Sequence, residues 1–141
     1  MTDKGEKAGL KKDYLGKPTI LIIDEDERDR ISCIDILSAK DYRVETAESR
    51  EAGIGNVRIS KPDLVIVNIG EHGGEGLGVI EKIAEIEPNI VTVALTSSAT
   101  VEYAVESMRR GAHDFLPKPV SPDKILLAVK RGLEMRRLAS S

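Results

Sequence analysis

Polar residues whose side chains can bind ions or take part in reactions follow the apolar segments of this 141-residue chain. An acidic run ends the first apolar segment, hydroxyl groups end a later one, and a lysine precedes a proline near the end of the chain. The set comprises Asp24, Glu25, Asp26, Asn68, Thr96, Ser97 and Lys118. Mg²⁺ prefers carboxylate oxygens, whereas a lysine and a hydroxyl can bind phosphoryl oxygens. The residue types therefore indicate a site for a hard cation and a phosphoryl group.

Each of these residues also has an ordinary structural interpretation. Acidic residues that follow a strand often cap the next helix. Thr96 could be a simple strand-end hydroxyl, and lysines such as Lys118 are mostly exposed to solvent. The functional interpretation therefore depends on the fold bringing these side chains to one place.

Apolar runs alternate with segments of helical spacing along the chain. Residues 19–23, 64–67 and 90–95 are continuous apolar runs, which is typical of strands buried on both faces. Residues 43–47 and 115–116 are shorter strand candidates. Helical spacing begins near Asp29, and residues 49–59 form a weak helix that Gly53 and Gly55 interrupt. Three more helices follow, the last beginning at Ser121-Pro122-Asp123.

Five strands alternating with five helices predict an α/β fold, a doubly wound parallel sheet covered on both faces. In such sheets the functional crevice lies beyond the carboxyl ends of the strands. These ends carry the polar residues named above, so we expect them to converge at one edge of the sheet.

The composition limits the classes of protein that this chain can belong to. Aromatic residues make up 3% of the chain, so the core must be aliphatic. A net charge of −3 argues against a general nucleic-acid binder. The single cysteine, Cys33, excludes a disulfide within the chain, and its apolar neighbours predict that it packs on a helix. No apolar run reaches the roughly 20 residues of a membrane span, which predicts a cytoplasmic protein.

The chain divides into three predicted parts. Residues 1–17 are charged and aperiodic and indicate a flexible arm, residues 18–136 form the domain, and residues 137–141 form a tail. The last helix extends past the domain with a charged face. It is either the beginning of a linker to an effector domain or a frayed, solvated end.

Three segments carry a resemblance to a known family. They read ILIIDEDERDR, PDLVIVNIGEHGGEGL and VALTSSATVEYAVESMRRGAHDFLPKPVS. Together they resemble the response regulator receiver domains of two-component signalling, the CheY-like domains, over roughly residues 18–136. The resemblance implies a flavodoxin-like fold with strand order 2-1-3-4-5 and a switch domain that is not an enzyme.

The resemblance also implies roles for individual residues. Asp24 and Glu25 match the metal-binding acid pair, with Asp26 as the next acid, and Gly70 matches the position whose backbone carbonyl binds the metal. Lys118 matches the lysine that senses phosphate. Thr96 and Phe115 match the hydroxyl and the aromatic residue of the switch, and the bond before Pro119 matches one that is typically cis.

Asn68 departs from the family pattern, because the family has the phosphate-accepting aspartate at this position. A neutral amide oxygen is a far poorer nucleophile than a carboxylate, so the sequence predicts a receiver independent of phosphorylation. The alternatives are a conventional receiver whose acceptor has been blocked by substitution and, more remotely, a small α/β phosphatase. Glu71, His72 and Glu25 also depart from the common family residues.

The missing carboxylate has two predicted consequences. Mg²⁺ binding should be weakened, because fewer anionic ligands face the ion. Lys118 should form an ion pair with Asp24 or Glu25 instead, and this ion pair should stabilise the pocket in the absence of metal.

The resemblance places the output surface on helix 4, strand 5 and helix 5, including parts of residues 101–110 and 121–131 with Phe115. A sensor kinase or an effector domain would bind there. A homodimer is plausible, whereas direct binding to nucleic acid or membrane is not expected. His72 and His113 are interpreted as surface or packing residues.

Overall fold

The computed structural model describes residues 16–71 and 74–140. Its centre is a five-stranded parallel sheet in the order β2-β1-β3-β4-β5. The strands are β1 (Thr19–Ile23), β2 (Arg43–Ala47), β3 (Leu64–Asn68), β4 (Val91–Thr96) and β5 (Asp114–Pro117). The strand order is the one that the resemblance implies.

One helix follows each strand. The helices are α1 (Glu27–Ser38), α2 (Arg50–Ser60), α3 (Leu77–Ile86), α4 (Val101–Arg109) and α5 (Pro122–Ser140). This α/β alternation confirms the fold class that the sequence predicts.

Two aliphatic layers lie on opposite faces of the sheet, because neighbouring residues of a strand point to opposite sides. On one face, Ile20, Ile22 and Ile66 pack with α1 and α5. On the other face, Leu21 and Val65 pack with α2 and α3. The central strands β1, β3 and β4 are buried on both sides, which explains why their sequences are apolar without alternation.

The helix α2 is continuous, so the interruption predicted at Gly53 and Gly55 is wrong. Ser49 caps its first turn by accepting a hydrogen bond from the backbone N–H of Ala52. A Cβ atom at Gly53 would lie 2.4 Å from the Cδ1 atom of Ile23. The glycine therefore lets the helix pack closely against β1, and this tertiary contact outweighs the low helix propensity of glycine.

The end of α5 is tied to the domain up to at least Arg136. Its Nε atom lies 3.6 Å from Oδ1 of Asp63, whose side chain is completely buried. Arg136 also donates to the backbone carbonyl of Asn89. The helix then continues without a break to Ser140.

The predicted N-terminal arm lies almost entirely outside the described residues, as do His72 and Ser141. Cys33 is completely buried on α1, and burial raises the pKa of its thiol to about 12. No helix within residues 16–71 and 74–140 has both the length and the apolar character needed to cross a bilayer.

Candidate functional site

The carboxyl edge of the sheet brings most of the predicted site residues together. A cavity of about 290 Å³ opens there. Its lining residues are Asp26, Asp29, Asn68, Glu71, Ser97, Lys118 and Pro119. They come from the end of β3, the first turn of α1 and the loops after β1, β3, β4 and β5, as the geometry of a parallel sheet requires.

Lys118 is shared between two carboxylates. Its Nζ atom lies 3.0 Å from Oδ2 of Asp24 and 2.8 Å from Oδ2 of Asp29. The expected ion pair with Asp24 is therefore present, but Glu25 is not a partner of Lys118. The second partner is Asp29, which projects from the first turn of α1 and which the sequence analysis did not include in the site.

The two members of the Lys118–Asp24 pair respond differently to burial. Asp24 is completely buried, and this burial raises its pKa, although the N–H of Asp26 and the Lys118 ammonium oppose the change. Burial alone would lower the pKa of Lys118, but its contacts with Asp29 and Asp24 outweigh that effect and raise it. Lys118 is therefore a firmly protonated cation, while Oδ2 of Asp24 accepts no well-oriented hydrogen bond within the described residues.

Asn68 takes part in a second group of charges, which we call the Glu25 network: Glu25, Arg50, Asn68 and Glu75. The Nδ2 atom of Asn68 donates to Oε1 of Glu25 at 3.1 Å. The other Glu25 oxygen, Oε2, lies 3.0 Å from Nη2 of Arg50. The Nη1 atom of Arg50 lies 3.5 Å from Oε1 of Glu75. Both carboxylate oxygens of Glu25 are therefore engaged by protein donors.

Hydrogen bonds also connect the loop after β3 to β4 and α4. The hydroxyl of Thr96 donates to the carbonyl of Gly70 at 2.7 Å. Ser97 donates to the Glu71 carboxylate at 2.7 Å, and the Tyr103 hydroxyl donates to the Glu71 carbonyl at 2.6 Å. The predicted switch hydroxyl is therefore bonded to the protein's own backbone.

Glycine is required where this loop enters α3. A Cβ atom at Gly76 would lie 2.5 Å from the Cα atom of Ile69 and 2.7 Å from the carbonyl oxygen of Asn68. Both contacts are with backbone atoms, so a larger residue cannot be accommodated by a rotamer change. The close approach fixes the path of the chain immediately after Asn68.

The remaining predicted site residues have separate positions. Asp26 is exposed and accepts a hydrogen bond from the N–H of Asp29, so it caps α1 while lining the cavity. Phe115 is half-buried and packs against the core layer on the face of the sheet that α2 and α3 cover. The Lys118–Pro119 peptide bond is cis.

A divalent cation has few free ligands at this edge of the sheet. Glu25 is fully engaged, the Gly70 carbonyl accepts from Thr96, and Asp24 faces the Lys118 ammonium. Among the residues that the structure describes, no group of three or more His, Cys, Asp or Glu side chains could hold a metal ion. In this arrangement the donor set does not fit a tightly bound divalent cation.

Comparison with known proteins identifies the family. The family model for the response regulator receiver domain matches residues 20–130. The chain belongs to the response regulator receiver family.

Similar proteins are longer transcriptional regulators and isolated receivers. The nitrogen assimilation regulatory protein NtrX of Azorhizobium caulinodans is 28% identical over 121 residues, which cover 84% of this chain and 27% of that protein. The C4-dicarboxylate transport transcriptional regulatory protein DctD of Pseudomonas aeruginosa is 31% identical over 120 residues, covering 84% and 26%. The chain thus spans about a quarter of the length of these curated relatives.

A solved structure has the same architecture. The response regulator receiver domain protein (CheY-like) from Methanospirillum hungatei superposes with a TM-score of 0.81 at 28% identity. The alignment covers 87% of this chain and 98% of that one.

Four residues of this receiver site escaped the sequence analysis: Asp29, Arg50, Glu75 and Tyr103. Asp29 lies three residues after Asp26 on the same helix face, a spacing that could have revealed it. Arg50 follows the end of β2, the one strand end that the search for polar residues left out. Tyr103 had no comparable signal, because its contact with the Glu71 carbonyl depends on how α4 packs.

Proposed function

We propose that this receiver transmits a signal through protein contacts and does not depend on phosphorylation at residue 68. The observation that carries the proposal is the hydrogen bond from the Asn68 amide to Glu25, whose second oxygen is paired with Arg50. An aspartate at position 68 could not donate this bond at neutral pH and would oppose the Glu25 carboxylate. The pocket is therefore built around an amide.

The chemistry of the acceptor position supports the same conclusion. An amide oxygen is neutral and weakly nucleophilic, so it does not form a stable phosphoryl intermediate as a carboxylate does. Asp63 is no replacement, because it lies at the amino end of β3. Its Oδ2 atom accepts from the N–H of Thr19 at 2.8 Å, and the side chain is completely buried.

Mg²⁺ binding should be weak in this receiver. The predicted metal ligands are Asp24, Glu25, Asp26 and the Gly70 carbonyl. Asp24 faces Lys118, and Glu25 belongs to the Glu25 network. Asp26 caps α1, and the Gly70 carbonyl accepts a hydrogen bond from Thr96. A metal ion would have to displace these contacts before it gained ligands, which lowers its apparent affinity.

The partner surface of the proposed function is the one formed by α4, β5 and α5. Val101, Val105 and Met108 on α4 are all exposed, as is Leu127 on α5. A sensor kinase, an effector domain or a second copy of the receiver could bury this apolar surface. Because Thr96 and Phe115 are retained, such binding could still shift the switch between two states. The domain would act in the cytoplasm, without enzymatic activity and without contacting nucleic acid itself.

Acetyl phosphate treatment followed by intact-mass spectrometry tests this function. The chain with Asn68 and the variant Asn68→Asp should be compared, with Asn68→Ala as the matched control that also lacks the amide. We expect no added phosphate on any of the three chains and no change in their near-ultraviolet circular dichroism.

The competing function is a conventional receiver with a blocked acceptor, which the retention of Lys118 and Thr96 in the pocket favours. It requires Asn68→Asp to gain one phosphate and to change conformation, while Asn68→Ala gains none. That result, or phosphate on the chain with Asn68, would overturn phosphorylation independence. Turnover of phosphate esters would favour the phosphatase instead.

A further inference from the structure

Arg50 occupies an unusual position for the first residue of α2. Its side chain leaves the helix and reaches the carboxyl edge of the sheet, where only 27% of it is exposed. One terminal nitrogen lies 3.0 Å from Glu25, and the other lies 3.5 Å from Glu75. The guanidinium therefore joins the end of β1 to the loop before α3.

The guanidinium also lies against the backbone of Gly70. An ideal Cβ atom at Gly70 would be 3.2 Å from Nη2 of Arg50. The positive φ angle of +88° at this position further favours glycine. The lack of a side chain at Gly70 thus lets the cation approach the backbone between Glu25 and Glu75.

The electrostatics of this arrangement resemble those of a bound cation. A guanidinium remains protonated at any physiological pH and presents several donors to carboxylates in a planar fork. Its Nε atom is buried without a hydrogen-bond partner in the described part of the chain, so only the terminal nitrogens hold the group. The positive charge lies beside the same acid, Glu25, that the family resemblance assigns to the metal.

We propose that the guanidinium of Arg50, held between Glu25 and Glu75 and against Gly70, supplies the positive charge beside Glu25 and takes the place of a divalent metal there. This inference rests on the proposed function. In it, Arg50 neutralises the Glu25 carboxylate when neither phosphate nor metal is bound. It makes Arg50 a specificity-determining residue, because it excludes the metal by occupying Glu25 and by repelling a second cation.

Direct metal binding provides the test, with Asn68 left in place in every chain. Free Mn²⁺, a probe for Mg²⁺, is measured by the electron paramagnetic resonance signal of its aqua ion. Arg50→Gln removes the positive charge, and Arg58→Gln is the matched control, since Arg58 is exposed near the other end of the same helix. Arg50→Lys keeps the charge, and the double variant Arg50→Gln with Glu25→Gln removes the acid as well.

We expect Arg50→Gln to bind Mn²⁺ about tenfold more tightly or better, because a unit charge a few ångströms from the ion is removed. Arg58→Gln and Arg50→Lys should bind as weakly as the unsubstituted chain, and the double variant should lose the gain. An affinity of Arg50→Gln within twofold of the unsubstituted chain would overturn the inference, as would an equal gain in Arg58→Gln.

Folding is monitored in parallel by far-ultraviolet circular dichroism. If Arg50→Gln is unfolded without metal, restoration by millimolar Mn²⁺ supports the inference and failure of Mn²⁺ to restore it overturns it. The outcome is separate from that of the phosphorylation experiment. A chain with Asn68 can remain unphosphorylated whether or not Arg50 excludes metal.

Discussion

Replacing Asn68 by aspartate tests how strongly the pocket depends on an amide at this position. The substitution removes the hydrogen bond to Glu25 and places two carboxylates next to each other, where the donor and acceptor are now 3.1 Å apart. We expect Asn68→Asp to destabilise the domain at pH 7 in the presence of a chelator. A conventional receiver with a blocked acceptor predicts the opposite result. There, Asn68→Asp would restore the original pocket and should not lower the stability of the domain.

The magnitude follows from two contributions. The lost hydrogen bond accounts for about 1 kcal/mol of the free energy of unfolding. Two charges at this distance repel by about 1.3 kcal/mol in bulk water and about 5 kcal/mol at an effective dielectric constant of 20. The Glu25 side chain is 40% exposed and is paired with Arg50, so the lower value applies more closely. We therefore expect a total loss of about 2–3 kcal/mol, with about 1 kcal/mol of it reproduced by Asn68→Ala.

Urea denaturation followed by far-ultraviolet circular dichroism measures these differences. The excess destabilisation of Asn68→Asp over Asn68→Ala should be present at pH 7 and should shrink as the pH falls toward about 4, because a proton shared by the two carboxyl groups removes the repulsion. Equal stability of the two variants at pH 7, or greater stability of Asn68→Asp, would refute the structural reasoning.

Three other changes are tested by the same denaturation assay, two beside the pocket and one, at His113, at the opposite edge of the sheet. Lys118→Ala leaves the buried Asp24 without its cation and should cost about 3 kcal/mol; full retention of stability, or no recovery when Asp24→Asn is added, would contradict the pairing. Gly76→Ala forces a Cβ atom against backbone and should cost about 3 kcal/mol or more, beyond the usual range for simple overpacking; a loss below about 0.5 kcal/mol would show that the loop adapts. Burial lowers the pKa of His113, whose Nδ1 atom accepts from the N–H of Thr92 at 3.3 Å. The contribution of neutral His113 to stability is therefore fully present above pH 6.5 and is lost as the pH falls through the lowered pKa. His113→Gln should therefore flatten the pH dependence of the free energy of unfolding between pH 7 and 5. An unchanged slope would exclude this role.

The positions of the elements were largely predictable from local sequence. The apolar runs of β1, β3 and β4 are continuous because helices cover both faces of the sheet, and this pattern is visible without a structure. The prediction for α2 was wrong for a tertiary reason. Gly53 looked like a helix breaker, but it is the residue that allows the helix to approach Ile23.

Part of the site was also predictable. Asp24, Asn68, Thr96 and Lys118 lie at or directly after the ends of β1, β3, β4 and β5. The carboxyl ends of parallel strands lie at one edge of the sheet. The weak nucleophilicity of the Asn68 amide can be recognised without coordinates, because it depends only on the functional group.

Partner choice among the charged residues required the tertiary structure. The sequence did not distinguish Asp24 from Glu25 as the ion-pair partner of Lys118. In the structure Lys118 pairs with Asp24 and Asp29. Glu25 turns toward Arg50 and Asn68 instead. The choice depends on where the first turns of α1 and α2 lie relative to β1, and this is a matter of packing.

The sequence by itself determined the fold class, the edge of the sheet at which the polar residues gather, and the presence of an amide at residue 68. These properties follow from hydrophobic periodicity and from the chemistry of single side chains. Only the tertiary structure decided which charge neutralises which, because ion pairing depends on distances of a few ångströms between residues far apart in the chain. Arg50 illustrates this difference, since nothing in the sequence distinguishes it until the structure places it on one oxygen of Glu25, with Asn68 on the other.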